Sequence, residues 1–74
     1  MHYNYYKNYI KYKDTECWMR YIGWFNGVHV FHSTKKLDIH EKIKYENNVY
    51  KIMDIEKIID QRKNIYYKVR CHII

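Results

Sequence analysis

Alanine and proline are absent from this 74-residue chain, leucine occurs only at Leu37, serine only at Ser33, and glycine only at Gly23 and Gly27. These shortages exclude particular chemistries. Gly23 and Gly27 stand in no glycine-rich phosphate-binding pattern, so no loop of that kind can cradle a phosphate through backbone N–H groups. Ser33 lacks the flanking glycines of a nucleophile elbow. The cysteines, Cys17 and Cys71, form no CxxC pair, which leaves the commonest zinc framework unbuilt. No apolar run approaches the roughly 18 residues that a membrane-spanning helix needs. Met1 is followed by polar and aromatic residues instead of the basic start and apolar stretch of a secretory signal. The expectation is a soluble protein in a reducing cytoplasm, with free thiols.

What the chain has in abundance is lysine, isoleucine, tyrosine and asparagine, with ten tyrosines and a formal net charge of +6. Those residues have AT-rich codons, and the composition resembles that of small proteins of phages and mobile elements in low-GC bacteria. A chain this short makes one domain, residues 1–74, and buries a smaller share of its surface than a larger domain does. Domains of this size often lean on a metal, a disulfide or a partner chain for stability. The positive charge points to an anionic partner, either nucleic acid or an acidic protein surface.

Residues 1–13, MHYNYYKNYIKYK, admit two readings. In a short N-terminal helix capped by Asn4, Tyr5, Tyr9 and Tyr12 share a face that Tyr6 and Ile10 flank; in an extended arm, Tyr3 and Tyr5 alternate with polar neighbours. Residues 17–73 read as a β-meander. The runs WMRYIGWF and VHVFH flank Asn26-Gly27, the pair that best fits the two positive φ values of a type I′ hairpin turn. A two-residue loop sets Trp24 opposite His29, Gly23 opposite Val30, Ile22 opposite Phe31 and Tyr21 opposite His32. One face then carries Met19, Tyr21, Phe25, Val28 and Val30, and the other Trp18, Ile22, Trp24 and Phe31. Both faces are apolar, so each needs a cover, or one is left for a partner.

Residues 33–40 form a polar connection with room for one helical turn opened by Ser33 or Thr34. A second hairpin is expected around Asn47-Asn48, with Tyr45 opposite Tyr50, Ile43 opposite Ile52 and Lys44 opposite Lys51. After Ile52 the apolar phase slips by one residue, to Met53, Ile55 and Ile59, which predicts a β-bulge or bend. Pairing Ile59 with Ile65 sets Glu56 opposite Lys68 and Asp54 opposite Arg70, each pair contributing roughly 0.2–1 kcal/mol. Five strands joined in this way, with the segment LDIHEKIKYENNVYKIMDI at 37–55, resemble an SH3-like small barrel over residues 37–73. The resemblance implies a mostly β fold and carries over no functional residue.

His29 and His32 are the first candidates for a metal, with Cys17, His40, Cys71 and His72 as further donors. Residues three apart on a strand point to opposite faces, so no metal or cofactor is expected. Asp54 and Glu56 are taken up as ion-pair partners, and no catalytic constellation stands out; the chain is not expected to be an enzyme. Lys42, Lys44 and Lys51 form a same-sign cross-strand cluster that repels itself unless solvated or opposed by an anion. The aromatic load, with Tyr5, Tyr6, Tyr9, Tyr12, Trp18 and Trp24 foremost, exceeds what a small core encloses, and tyrosine and tryptophan are typical interface anchors.

These features lead to the expectation of a non-catalytic protein of phage or mobile-element type that docks on a host protein and inhibits it sterically. A nucleic-acid-handling defence complex, the kind of target anti-CRISPR-like proteins have, would suit its charge. The alternative is a direct DNA- or RNA-binding module, with lysines on phosphates and tyrosines stacked on bases. A homodimer is a third arrangement.

Overall fold

A computed structural model describes residues 10–11 and 17–74. They form one antiparallel sheet of six strands: β1 (Ile10–Lys11), β2 (Trp18–Phe25), β3 (Val28–Ser33), β4 (Lys42–Tyr45), β5 (Asn48–Ile59) and β6 (Ile65–Ile73). The strand order is β1-β2-β3-β6-β5-β4. Two three-strand meanders are therefore joined side by side through β3 and β6, and the sheet curls into a half-barrel around its core. No helix is present among the described residues. The helix or arm expected near the N-terminus lies largely outside the described residues; its one described piece, Ile10–Lys11, is a strand paired with Trp18 and Met19.

Asn26 and Gly27 take φ values of 52° and 84°, the two positive values that a type I′ turn requires. The pairs nearest the turn follow the expected register: Phe25 with Val28, Trp24 with His29 and Gly23 with Val30. Beyond them the expected register fails. A bulge at Ile22 sets Tyr21, not Ile22, opposite Phe31, and Arg20 opposite His32. The extra residue moves Tyr21 and Met19 onto the same face as Phe31, so the largest apolar side chains meet on one side.

That inner face is the core. Phe31, Met19, Ile43, Ile52, Val69 and Cys71 are fully buried. Phe31 is held edge-on by Tyr21, Tyr45 and Tyr50, at ring-centroid distances of 5.2, 5.6 and 5.2 Å. Tyr21 also stacks on Tyr45 at 5.6 Å, joining β2 to β4 across the open side of the half-barrel. Such aromatic pairs contribute about 0.5–1.5 kcal/mol each beyond the area they bury.

The connection between β3 and β4 takes no helical turn, although the sequence has room for one. Ser33 ends β3 fully buried; its hydroxyl donates to the Lys35 carbonyl at 2.6 Å and lies 3.2 Å from Cys17 Sγ. Leu37 then drops into the core. The chain regains the sheet through His40, with φ 73°, whose N–H donates to the Ile52 carbonyl at 2.7 Å.

The β4–β5 hairpin turns at Glu46-Asn47, with φ 46° and 68°, rather than at Asn47-Asn48. Its pairs are Tyr45 with Asn48, Ile43 with Tyr50 and Lys42 with Lys51. The register differs from expectation by two residues, which leaves every side chain on its expected face. The slip after Ile52 is a bulge at Met53, and beyond it Asp54 pairs with Arg70, Glu56 with Lys68 and Ile59 with Ile65, as the sequence predicts. The loop closing that hairpin is tied by the Asp60 carboxylate, which accepts the N–H groups of Arg62 and Asn64 at 2.9 Å each. The Asn64 N–H foremost holds the Asp60 carboxyl below its ordinary range.

β1 reaches only the first residues of β2, and β4 with the His40–Glu41 backbone reaches only as far as Ile52 of β5. Residues 20–25 and 53–59 thus form open sheet edges among the described residues.

Replacing Gly27 with alanine, which resists the left-handed region, is expected to cost about 1–2 kcal/mol; urea unfolding should show a lower midpoint with an unchanged slope. Cys17 and Cys71 are both buried and joined in no disulfide, and burial pushes the Cys71 thiol up to about 12. Both thiols should resist a disulfide-exchange reagent in the folded protein and react together on unfolding, as absorbance titration would record.

Candidate binding face

The strand pairings assign every outward side chain of the sheet to a row. Arg20, His32, Lys68 and Glu56 form one row, and Val30, Arg70 and Asp54 the next. Lys51 lies between His72 and Lys42, with Lys44 two residues from Lys42 along β4. Among the described residues, Arg20, Lys42, Lys44, Lys51, Lys68 and Arg70 therefore share the outer face with only two strand carboxylates, Asp54 and Glu56.

Both carboxylates are engaged by one cation. Arg70 donates to Asp54 at 2.6 Å and to Glu56 at 2.8 Å, and Glu56 foremost raises the guanidinium pKa further. Glu56 thus turns to Arg70 instead of Lys68 directly opposite. These pairs are solvent-exposed, so their net contribution to stability is small, but they leave Arg70 neutralised and Lys68 with no carboxylate partner among the described residues.

Next to this row the outer face is apolar. Ile22, Phe25, Val28 and Val30 line a surface groove of about 430 Å³, with Asn26, His32, Lys68 and Arg70 around it. Val30, 4% exposed, lies on the outer face yet is buried. Phe25, 55% exposed, projects at one side, and its ring occupies the space over Gly23: a Cβ there would come within 3.3 Å of it. The outer face is thus apolar at the hairpin end and cationic beside it. No element of the described residues covers it.

The structure distributes the sequence-derived candidates unevenly. Lys42, Lys44 and Lys51 do share the outer face, although Lys42 and not Lys44 opposes Lys51. Trp18 and Trp24, expected on one face, lie on opposite faces because the Ile22 bulge intervenes. Trp18 is half-buried on the outer side; Trp24, 63% exposed, stands on the His29 side at the hairpin end. Tyr5, Tyr6, Tyr9 and Tyr12 lie outside the described residues. The groove itself went unforeseen: an unbulged register mixes Phe25, Val28 and Val30 with the core residues Met19 and Tyr21. Gly23 between Ile22 and Trp24 is the one local signal for the bulge.

His29 and His32 face opposite ways, as the strand period requires. The Tyr21 hydroxyl lies 2.9 Å from His29 Nδ1 on the inner side, and His29 packs edge-on against Tyr50 at 5.0 Å. His32 packs against Tyr66 with tilted rings, centroids 4.7 Å apart, on the outer side. Among the described residues no three histidine, cysteine or acidic side chains gather as a metal site, and no helix is long and apolar enough to cross a membrane. No protein-family model, curated protein or solved structure matches the chain.

Burial, and then Lys68 and Arg20, hold the His32 pKa below its ordinary value of 6.5. On acidification the unfolded chain therefore takes up this proton first, so stability falls as the pH drops below about 6.5 and stops falling below the folded-state pKa. The thermal midpoint should decline less between about pH 7 and 5 for His32→Gln than for the native protein; parallel declines would contradict the assignment.

Proposed function

We propose that this chain is a non-catalytic docking protein that engages another protein through the outer face of its sheet and acts by occupying that partner's surface. The observation that carries the reading is the groove of Ile22, Phe25, Val28 and Val30, which no element of the described residues covers, beside a field of cations. Apolar surface of this kind gains free energy when a partner removes it from water, and the surrounding charge steers and orients the encounter. A host protein with an acidic surface, including one that handles nucleic acid, meets both requirements. Steric inhibition is the effect expected of a small docked domain that brings no catalytic group of its own.

A second reading has its own support. Arg20, Lys44, Lys51 and Lys68 lie on one face, with Phe25 exposed near them, so a single nucleic-acid strand could lay phosphates along the lysines and stack a base on the ring. That contact would weaken steeply with salt through counterion release.

The full chain used as bait in a nuclease-treated host lysate should retain a protein that an Arg20→Glu/Lys51→Glu variant, with an unchanged circular dichroism spectrum, does not. If the native bait retains no protein and instead holds an oligonucleotide at low salt, docking on a protein is wrong and the second reading stands.

A further inference from the structure

The groove is specific enough to say what kind of segment it would take. Its floor is aliphatic, Ile22, Val28 and Val30, with Phe25 as one wall. At about 430 Å³ it sits at the low end of the roughly 300–1,000 Å³ typical of ligand pockets, but it is an open surface depression. It suits an apolar side chain entering from above and offers little to enclose a whole small molecule.

Its polar boundary is one-sided. Arg70 is spent on Asp54 and Glu56, which cancels the only two acids of the neighbouring strand rows. Lys68 lines the groove without a carboxylate partner among the described residues, with Arg20 in the row beyond His32. Across the sheet, Val28 leads toward the row of His72, Lys51 and Lys42. An apolar side chain seated above Val30 would thus have cations on both flanks of its own backbone.

Charge separates the occupants. Residues 1–13 of this chain carry Lys7, Lys11 and Lys13 and no acid, so they meet the cationic flanks with the wrong sign. A second copy presenting the same face would set Arg20, Lys51 and Lys68 against themselves, and like charges juxtaposed across an interface are costly. A nucleic-acid strand has the right sign, but its bases prefer flat aromatic platforms, and the floor here is branched aliphatic.

We propose that the groove formed by Ile22, Phe25, Val28 and Val30 is the docking site for an acidic segment of a partner protein. An aliphatic side chain of that segment seats among Ile22, Phe25 and Val28, above the buried Val30, and carboxylates on either side of it pair with Lys68 and with Lys51. This rests on the docking reading above and gives it a residue-level address.

The test uses the full chain, 15N-labelled, titrated with a short acidic peptide that carries one leucine between aspartates. Amide shifts should concentrate at Ile22, Phe25, Val28, Val30, His32 and Lys68. Changing the peptide's leucine to serine should weaken binding about tenfold or more, the worth of burying that side chain. Lys68→Glu, which the same spectrum shows to be folded, should weaken it by about threefold. Shifts that are absent or scattered at millimolar peptide overturn the proposal. So does a thymidine oligonucleotide that perturbs these residues when the peptide does not, which makes the face a nucleic-acid surface. Shifts that change with protein concentration alone overturn it too, in favour of a second copy. Failure here is distinguishable from failure of docking itself: a bait carrying Val28→Asp that still retains its protein partner would leave docking standing and move it off the groove.

Discussion

Side chains alternate along a strand, and one extra residue reverses that alternation for everything beyond it. At Ile22 this constraint decides the whole domain. Without the bulge, Phe31 would stand with Trp18, Ile22 and Trp24, away from Met19 and Tyr21, and the largest apolar side chains would be split between the two faces. With it, Phe31 lies among Tyr21, Tyr45 and Tyr50, and these four rings tie β2, β3, β4 and β5 around one centre. The same residue sends Ile22, Phe25, Val28 and Val30 outward together. Core and groove are two results of a single insertion.

A second bulge, at Met53, works from the other side. The row of Gly23, Val30, Arg70 and Asp54 is bracketed by the two, Ile22 before it on β2 and Met53 before it on β5. Each bulge bends its strand and increases the local twist, so the sheet folds over at this row. The ion pairs of Arg70 lie on the outside of the bend, where two carboxylates converge on one guanidinium. These surface ion pairs are thus placed by the same geometry that curls the interior.

The parts of the fold legible in the sequence are those that local chemistry announces. Asn26-Gly27 names its turn because few other pairs accept two positive φ values. Asp54 and Glu56 mark the outer face of β5, and their spacing against Lys68 and Arg70 makes both the β5–β6 register and the Met53 bulge readable. In WMRYIGWF no such marker exists: apolar residues fill nearly every position, so a shifted register looks as good as the true one and the Ile22 bulge stays hidden. Glu46 is a less typical residue for positive φ than asparagine, which is why the turn reads one residue late and the register shifts by two. The β3–β6 pairing, which sets the topology, joins segments more than thirty positions apart and leaves no local trace. For the binding face the division is the same. The lysines survive a two-residue error because parity is kept, whereas the groove depends on the one bulge that apolar patterning conceals.

Both bulges also fall on the strands that border the sheet's open stretches, residues 20–25 of β2 and 53–59 of β5. An uninterrupted edge of unpaired backbone is a template on which another extended chain can align and extend the sheet indefinitely. Here Ile22 and Met53 break the hydrogen-bonding rhythm at those stretches, and Lys57, on the inner side opposite Tyr67, sets a charge where an incoming strand would need apolar surface. A domain so rich in tyrosine and isoleucine, with no proline to interrupt it, thus carries at the open edges of its described residues two devices that oppose edge-to-edge growth. The irregularities that shape its core also end its sheet.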